Sequence, residues 1–435
     1  MAPVNGSGPS SSTIDDPFRN LPNELLSRIF ILCGDFPLRV FFRRFEVPHQ
    51  FTVSQVCSRW RQVALSTGVL WSSFRVTELD TKFAHRLRLY RTLVGRAGDC
   101  PLTVSLFFYG PNPDVYKVFL DFVVPFRIKL LDITMPYHKL VDLPPSSVEE
   151  YAIVVTHIQA DEDLKVPPFM DKTRDISIWD SAMASDKHWG PKLKELCLSW
   201  HQLRDLGCYS RVISLSTWLD VLRQSGTLQY LEQCHLTISN DGSGPLVGVC
   251  MPNLRWLSLT LLDVQPDIVI PLIAAPNITI LEISSQDKWS SDAYDIIKRH
   301  YKLHQMHQIR LQGAGFTLRV AQILADAPMV HKLECLGTSP ILDTEAREGI
   351  GSGRLGRCLR TLHIAGCFDN AGEWLDMIET RQRNVKSIVT QVSNWREMFT
   401  GIRSVELWDV LYGTRIDCEE RVAALRALGT TVKLI

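Results

Sequence analysis

Residues 351 to 356 read Gly-Ser-Gly-Arg-Leu-Gly and match the Gly-x-Gly-x-x-Gly pattern of loops that bind dinucleotide phosphates. Such a site needs a strand before the glycines and a helix that begins within them, because the helix N-terminus holds the phosphate. Here the order is reversed, since the strand-like residues Leu359 to Ile364 follow the glycines. The pattern therefore predicts a flexible loop and no nucleotide site.

Histidine and cysteine side chains occur in two groups that could ligate a metal ion. His304 and His307 are three residues apart, and the second group consists of Cys197, His201 and Cys208. Neither group has a further ligand spaced to complete a zinc site. The chain also lacks the Gly-x-Ser-x-Gly motif and the phosphate-loop lysine motif. We therefore expect no metal, no cofactor and no catalytic residues, and we expect a protein that is not an enzyme.

Bulk composition excludes several classes of partner. The 435 residues include 47 basic and 47 acidic side chains, so the net charge is zero and nothing indicates binding to nucleic acid or to an anionic membrane. Hydrophobic residues make up 45%, enough for a large core and for two or three domains. No apolar run approaches the roughly 20 residues that span a bilayer.

The cysteines and the first residues indicate the compartment. Eleven cysteines are scattered without a Cys-x-x-Cys pair, which is typical of reduced thiols buried as small hydrophobic side chains. Residues 1–17 are rich in Gly, Pro and Ser, and we expect a disordered tail rather than a signal peptide. These features predict a cytoplasmic or nuclear protein.

Helical spacing of apolar residues is clear near the start of the chain. Pro22 suits the first turn of a helix, with Leu21 in the cap position, and Glu24 complements the helix dipole. Leu21, Leu25 and Ile29 are spaced four residues apart, and Leu26 and Phe30 lie beside them, so together they form one apolar stripe of a helix. A second helix is predicted from Thr52 to Thr67 and ended by Gly68, with the stripe Val53, Val56, Cys57, Trp60, Val63 and Ala64. So few helices cannot enclose all these side chains, and part of the apolar surface should contact a partner.

These residues carry a resemblance to a known family. Leu-Pro-x-Glu-Leu-Leu-x-x-Ile-Phe from Leu21, then Val-Cys-x-x-Trp from Val56, then Leu70-Trp71 resembles an F-box, over about 50 residues. The resemblance implies a helical motif that binds a Skp-family adaptor and so links a substrate-recognising protein to a cullin-based, SCF-type ubiquitin ligase. The helix, turn and strand order after the box, over Asp80–Arg96 and Leu102–Leu106, also resembles fungal F-box proteins. By matching positions, the residues of the box core or adaptor contact are Leu21, Pro22, Leu25, Ile29, Phe30, Val53, Val56, Cys57 and Trp60. Which of them form the core and which touch the adaptor stays open.

One departure from the family is the segment 34–50, which is longer than the usual link between the two halves of the box. It is aromatic and basic together. Phe41, Phe42 and Phe45 either cover the box core, with the neighbouring arginines in water, or form an extra binding element.

An internal repeat organises the rest of the chain. The pattern Pro-x-apolar-x-x-apolar-x-apolar starts at Pro191, Pro252, Pro276 and Pro328. Copies without the proline occur at Ile128-Leu131-Ile133, Leu231-Cys234-Leu236, Met306-Ile309-Leu311, Leu359-Leu362-Ile364 and Ile402-Val405-Leu407. In a strand the apolar positions face a core and the intervening residues face out. Helical patterns lie between the copies, at 218–222, 293–297, 320–324, 374–378 and 422–428.

Alternating strand and helix at a repeat of roughly 20 to 29 residues resembles leucine-rich repeats, which stack into a curved solenoid. The family has Asn or Cys three residues after the final Leu; here the corresponding residues are His201, Leu262, Gln286 and Ala314, and only Cys367 agrees. We therefore expect an α/β fold in which a small helical F-box precedes an irregular leucine-rich-repeat-like horseshoe without an asparagine ladder. The alternative is a doubly wound α/β domain.

The concave sheet of such a horseshoe is a candidate binding face. It would present the intervening residues Glu195, Trp256, Ser258, Glu282, Gln308, Arg310, Lys332, Glu334, His363, Glu406 and Trp408. Trp256, Arg310, His363 and Trp408 are the candidate substrate contacts, and exposed Trp and Arg are typical anchors of a protein interface. Neither sign of charge dominates this set, and a C-terminal tail could instead cover several of these residues.

The predicted organisation is a tail at 1–17, an F-box domain at 18–75 with the 34–50 insertion, and a repeat domain at 76–435. The predicted function is that of a substrate-recognition adaptor. It would bind an unknown protein substrate and a Skp-family protein, and through the Skp-family protein a cullin ligase. We expect one copy of the chain in this hetero-complex. Two alternatives are a scaffold that binds the Skp-family protein without a cullin, and an enzyme on a degenerate α/β fold.

Overall fold

The computed structural model describes residues 18, 20–34, 38–39, 49–76, 90–107, 121–122, 125–143, 148–156, 169–179, 200–209, 212–237, 246–286, 289–313, 317–336, 339–341, 343–365, 371–391, 401–408 and 418–435. The chain divides into two compact units. Unit 1 contains Met1–Thr134 and Pro144–Glu150, and unit 2 contains Met135–Leu143 and Tyr151–Ile435. The predicted tail at 1–17 lies outside the described residues, and the predicted boundary between residues 75 and 76 stays a prediction.

Unit 1 begins with short helices and continues with parallel strands. The helices are α1 (Asn23–Cys33), α2 (His49–Gln55) and α3 (Ser58–Ser66), followed by a 3-10 turn at Gly68–Trp71. Residues 90–95 are also helical. The strands pair in parallel in the order β1 (Leu38–Arg39), β2 (Ser73–Val76), β3 (Leu102–Phe107) and β4 (Ile128–Met135).

The helix predicted from Thr52 to Thr67 is wrong, because the chain leaves the helical conformation between α2 and α3. Cys57 is extended, with φ −155° and ψ 173°, and its Sγ accepts a hydrogen bond from the Trp60 N–H at 3.4 Å. A thiol cap thus satisfies one of the free N–H groups at the start of α3. Gly68 does not end α3 but starts the 3-10 turn, where a Cβ would lie 2.6 Å from the Ala97 carbonyl oxygen. At α1 the cap residue is Pro22, one position later than predicted.

Unit 2 is an α/β arrangement built on a large open sheet whose described strand pairs are all parallel. From Tyr151 onward the sheet order is β5, β6, β7, β9, β11, β13, β14, β16, β18, β19 and β20. Each strand therefore pairs with the strand before it in the chain, apart from the short strands off this path. The order does not reverse in the middle of the sheet, as it does in a doubly wound fold.

The strands of this path are β5 (Val148–Val155), β6 (Thr173–Trp179), β7 (Asp205–Tyr209), β9 (Tyr230–Thr237), β11 (Trp256–Leu261), β13 (Ile280–Ser285), β14 (Gln308–Gln312), β16 (Lys332–Leu336), β18 (Thr361–Ile364), β19 (Ser404–Leu407) and β20 (Thr431–Leu434). Strand β8 (Val212–Ser214) pairs with β9, and two small parallel pairs are formed by β10 (Val249–Cys250) with β12 (Ile273–Ala274) and β15 (Thr317–Arg319) with β17 (Ser339–Ile341). The helices between strands are α4 (Leu215–Gln224), α5 (Pro266–Val269), α6 (Ala293–His300), α7 (Val320–Asp326), α8 (Thr344–Gly351), α9 (Ala371–Gln391) and α10 (Glu419–Ala427). The predicted alternation of strand and helix is confirmed.

The repeated apolar positions stack in register across the sheet. One buried row consists of Leu257, Leu281, Ile309, Leu333, Leu362, Val405 and Val432. A second buried row begins at Leu259 and continues through Ile283, Leu311, Cys335, Ile364 and Leu407. Each buried Leu or Ile contributes about 1.5–3 kcal/mol by leaving water, so these rows are the main stabilising feature of unit 2. The copy at Pro191 lies outside the described residues.

Side-chain hydrogen bonds link consecutive turns before the strands. Asn253 Nδ2 donates to the Gly226 carbonyl at 3.0 Å, and Asn277 Nδ2 donates to the Pro252 carbonyl at 2.8 Å. Gln305 Nε2 continues the series by donating to the Pro276 carbonyl at 2.7 Å. These amide bridges lie at the position just before the first apolar residue of each copy, and the repeat pattern did not predict them.

The 43-residue step between Leu359 and Ile402 contains the long helix α9. From its centre, the buried Arg381 guanidinium donates hydrogen bonds to four carbonyl oxygens, those of Ile350, Leu355, Gly356 and Arg357, at 2.7 to 3.3 Å. The Gly-x-Gly-x-x-Gly segment thus ends α8 and forms a turn, with Gly353 and Gly356 at positive φ. The Arg381 hydrogen bonds hold this turn, which the prediction of a flexible loop did not include.

The cysteines that the structure describes are free thiols. Cys208, Cys234, Cys335 and Cys418 are buried, as expected of small hydrophobic side chains, whereas Cys33, Cys57 and Cys250 are exposed. Among the described residues, no helix has both the length and the apolar character needed to cross a bilayer.

Candidate functional site

The nine residues that the resemblance assigns to the box fall into three classes of exposure. Phe30 and Val53 are buried. Leu21, Ile29 and Trp60 are half-buried. The exposed members are Pro22, Leu25, Val56 and Cys57. The structure thus separates residues that hold the helices together from residues that are accessible to a partner, which the sequence left open.

Trp60 and Arg59 join α3 to the start of α1. The Trp60 ring packs against Phe30 at 5.0 Å and edge-on against Phe18 at 5.6 Å between centroids. The Arg59 guanidinium donates to Asn23 Oδ1 at 3.1 Å, to the Phe18 carbonyl at 2.9 Å and to the Leu21 carbonyl. Sequence reasoning missed Arg59, because an arginine between Cys57 and Trp60 carries no signal of its distant partners.

Large apolar side chains remain exposed on this helical region. Val56 is 58% exposed at the break between α2 and α3, and on α1 Leu25 is 49% and Leu32 is 76% exposed. Val69, in the 3-10 turn, and Leu65, at the end of α3, are also exposed. Exposed apolar residues concentrated on a few short helices are typical of a protein interface. Leu32, Leu65 and Val69 were not among the predicted contacts.

The insertion at 34–50 is described only in part. Leu38 and Arg39 form β1, parallel to β2 at Phe74 and Arg75. His49 and Gln50 open α2. Phe41, Phe42 and Phe45 lie outside the described residues, and both interpretations of them stay open.

On unit 2, the outward residues of successive strands form a line that we call the central row. Its members lie opposite one another in register: Ser258, Glu282, Arg310, Glu334, His363, Glu406 and Lys433. Two of them depart from the expected exposure, because Ser258 and Glu334 are buried. The row alternates acidic side chains with basic or polar ones, so its members can pair with one another across strands.

Glu334 is the most strongly held charge of the central row. Its carboxylate lies 2.7 Å from Lys332 Nζ, 3.0 Å from His363 Nδ1 and 3.3 Å from Arg310 Nε. Burial by itself raises the pKa of Glu334, but the hydrogen bonds from His363 and Lys332 and the nearby positive charges outweigh it and hold the pKa at about 2. The carboxylate is therefore ionised across the physiological range.

The other two carboxylates of the central row also have partners nearby. Glu406 accepts from Lys433 Nζ at 2.6 Å, a hydrogen bond that lowers its pKa, and lies 3.9 Å from His363 Nδ1. Glu282 accepts from Gln308 Nε2 at 2.7 Å. The structure thus brings the predicted substrate contacts Arg310 and His363 together. Both side chains contact Glu334.

The two predicted tryptophans are not part of that cluster. Trp256, at the start of β11, is half-buried and lies edge-on to Tyr230 at 6.5 Å. Trp408 is exposed and directly follows β19, five strands further along the sheet. Since neighbouring strands lie about 4.8 Å apart, β11 and β19 are about 24 Å apart, and the two rings cannot bind one small ligand.

The Glu334 contacts predict a pH dependence of stability. Because the folded-state pKa of Glu334 lies below that of an unfolded glutamate, its ionised form stabilises the fold above about pH 4.5, and this contribution is lost as the pH falls towards 2. We expect Glu334→Gln to cost about 2 kcal/mol at pH 5, allowing for solvent screening, and less at pH 3. Urea unfolding of both proteins at the two pH values measures this difference. A cost that does not shrink at pH 3 would contradict the assignment.

Two other polar features lie on the sheet of unit 2. A depression of about 120 Å³ between β11, β13 and β14 is lined mainly by Ser258, Thr260, Glu282, Ser284, Arg310 and Gln312. Asp175 and Asp205 lie opposite each other on β6 and β7. Burial, together with the charge of Asp175, raises the pKa of Asp205 to about 7, although Arg204 lies 3.6 Å away.

The residues considered as metal ligands are dispersed where they are described. His304 and His307 belong to the turn before β14, and His201 is exposed in a 3-10 turn. Cys208 is buried, and its pKa is raised well above the ordinary value by its contact with Cys234 and by burial. Cys197 lies outside the described residues. Within the described part of the chain, no three His, Cys, Asp or Glu side chains are grouped so that they could hold a metal ion.

No protein-family model matches the chain, and no curated protein shows significant similarity to it. The functional assignment therefore depends on the residues and on their geometry.

Proposed function

We propose that this chain is the substrate-recognition adaptor of an SCF-type ubiquitin ligase. In this proposal residues 18–75 are an F-box that binds a Skp-family adaptor, and residues 76–435 bind a protein substrate. The observation that carries the proposal is the division of the box residues into a packed set around Phe30 and Val53 and an exposed apolar set that includes Leu25 and Val56. A helical region this small cannot bury the second set by itself, and a partner surface can.

The repeated strands support a leucine-rich-repeat-like solenoid for unit 2. Its strands pair in chain order, the apolar positions stack in rows, and Asn253, Asn277 and Gln305 bridge consecutive turns. Stacked repeats of this kind commonly use the outward face of the sheet to bind proteins. We propose that the central row and the residues beside it belong to such a face.

On this proposal the chain contributes proximity rather than reacting groups. An adaptor that holds a substrate lysine near the ubiquitin-charged partner of the ligase converts a bimolecular encounter into an effectively unimolecular one, which raises the rate without chemistry by the adaptor. The enzyme alternative predicts turnover of a small molecule by the purified chain, which the adaptor proposal does not.

The docking claim is tested by adding charge to the exposed apolar set. We expect the double variant Leu25→Asp and Val56→Asp to bind a purified Skp-family adaptor at least about 100-fold more weakly, because two desolvated carboxylates would face an apolar interface. The matched control is Leu246→Asp with Val247→Asp. Val247 is 57% exposed, almost the same as Val56, but lies in unit 2.

Co-purification of the folded variants with the Skp-family adaptor and a cullin measures the effect. Equal retention of the adaptor by the test and control variants would overturn the docking claim. Adaptor binding without any cullin would favour the scaffold alternative over the ligase.

A further inference from the structure

A second line of residues, which we call the edge row, lies immediately before the strands of the main sheet. It consists of Arg255, Thr279, His307, His331, Arg360 and Arg403, which directly precede β11, β13, β14, β16, β18 and β19. From Thr279 onward, the backbone N–H of each member donates to the carbonyl oxygen of the preceding member at 2.7 to 2.8 Å. The row is therefore as regular as the sheet, and it spans about 24 Å at a strand spacing of about 4.8 Å.

The edge row carries arginines that form no ion pair with any residue that the structure describes. These arginines, Arg255, Arg360 and Arg403, are all exposed. The His307 and His331 rings lie 5.2 Å apart between the arginines. Burial lowers the pKa of His331, and the positive charges of Arg360 and His307 lower it further. This row thus differs from the central row, whose charges are paired.

The edge row and the central row are separated along the direction of the strands. Glu282, Glu334 and Glu406 follow the edge row by three residues in their strands, which is about 10 Å along an extended chain. A broad polyanion bound over the arginines would therefore be repelled by these carboxylates, which lie within about one Debye length of it. A narrow, extended chain lying across the starts of the strands would contact the arginines and avoid the carboxylates.

We propose that the edge row binds an extended anionic peptide segment of the protein substrate. This proposal deepens the proposed function. That the peptide belongs to a substrate rests on that function. The span of about 24 Å accommodates about seven extended residues, and Arg guanidinium groups match carboxylate or phosphate oxygens in bidentate geometry. The anionic groups of the peptide can be Asp and Glu side chains or phosphorylated serines, since both present the same oxygen acceptors.

Fluorescence anisotropy with the purified full chain tests the proposal without any adaptor protein, so its failure is distinct from failure of F-box docking. Three labelled twelve-residue peptides serve as probes: one with Glu at every second position, the same peptide with phosphoserine at those positions, and the same peptide with Gln. We expect saturable binding of an anionic peptide that weakens as salt rises, and no measurable binding of the Gln peptide. The Glu and phosphoserine arms show which source of charge binds more tightly.

The variant Arg360→Gln with Arg403→Gln is expected to weaken binding of the anionic peptide at least tenfold. The matched control is Arg299→Gln with Arg354→Gln, which removes two exposed arginines outside the edge row. Both variants change exposed side chains, so both should keep the thermal stability of the parent chain. Equal binding by the two variants, equal binding of the Gln peptide, or tighter binding of a single-stranded deoxythymidine twelve-mer than of either anionic peptide would overturn the proposal.

Discussion

Replacing Arg381 by methionine is expected to lower the free energy of unfolding by about 3–5 kcal/mol. The guanidinium is completely buried, and it is a donor to four carbonyl oxygens of the turn after α8. Burial lowers the pKa of Arg381 to about 10, so the group remains charged at neutral pH. Methionine fills a similar volume but leaves those four carbonyl oxygens buried without a donor. The free energy of unfolding falls because buried polar groups without hydrogen bonds are costly.

Arg383→Met is the matched control, because this arginine lies on the same helix and is largely exposed, paired with Glu379. We expect it to change the stability by less than about 0.5 kcal/mol. Equilibrium urea unfolding of both variants measures the difference. Similar stabilities for the two variants would mean that the Arg381 contacts do not hold the turn.

Replacing Leu281 by alanine is expected to cost about 2–5 kcal/mol. Leu281 lies between Leu257 and Ile309 in the first buried row, so truncation leaves a cavity bordered by two neighbouring strands. The adjacent residue Ile280 points to the other face of the sheet and is half-buried. Ile280→Ala should cost only about 1 kcal/mol.

The comparison tests the alternation of inward and outward side chains, since the two changes differ by one position in the same strand. Urea unfolding gives both values. Equal costs at the two positions, or a larger cost at Ile280, would contradict the register of β13 against its neighbours.

The apolar pattern predicted much of unit 2. The three apolar positions of the copy at Pro276, which are Ile278, Leu281 and Ile283, are all buried, and the same holds for the copies at Pro252 and Pro328. This succeeds because the hydrophobic effect acts on every repeat in the same way. The break at Cys57 was missed because a side-chain cap interrupts an apolar spacing that is otherwise continuous.

Polar contacts were harder to predict, because they join residues far apart in sequence. The partners of Glu334 come from β14, β16 and β18, so their meeting depends on strand register, which a sequence alone does not give. Arg381 and its carbonyl acceptors are likewise about 25 residues apart.

The edge row, by contrast, had a signal in the sequence. Basic residues directly follow the first apolar position in most copies, as at Arg255, His307, His331, Arg360 and Arg403. The predicted binding face did not include these residues, because it comprised only the residues that alternate with the later apolar positions of each copy.

Calorimetric titration of the folded chain with a purified Skp-family adaptor tests the central claim most directly. The proposal predicts saturable one-to-one binding with a negative heat-capacity change, because the exposed apolar set around Leu25 and Val56 would leave water. Binding should be lost in the Leu25→Asp and Val56→Asp variant and kept in the Leu246→Asp and Val247→Asp control. Absence of binding by the unmodified, folded chain at about 50 µM adaptor, where even a weak interface would be partly occupied, would contradict the F-box assignment.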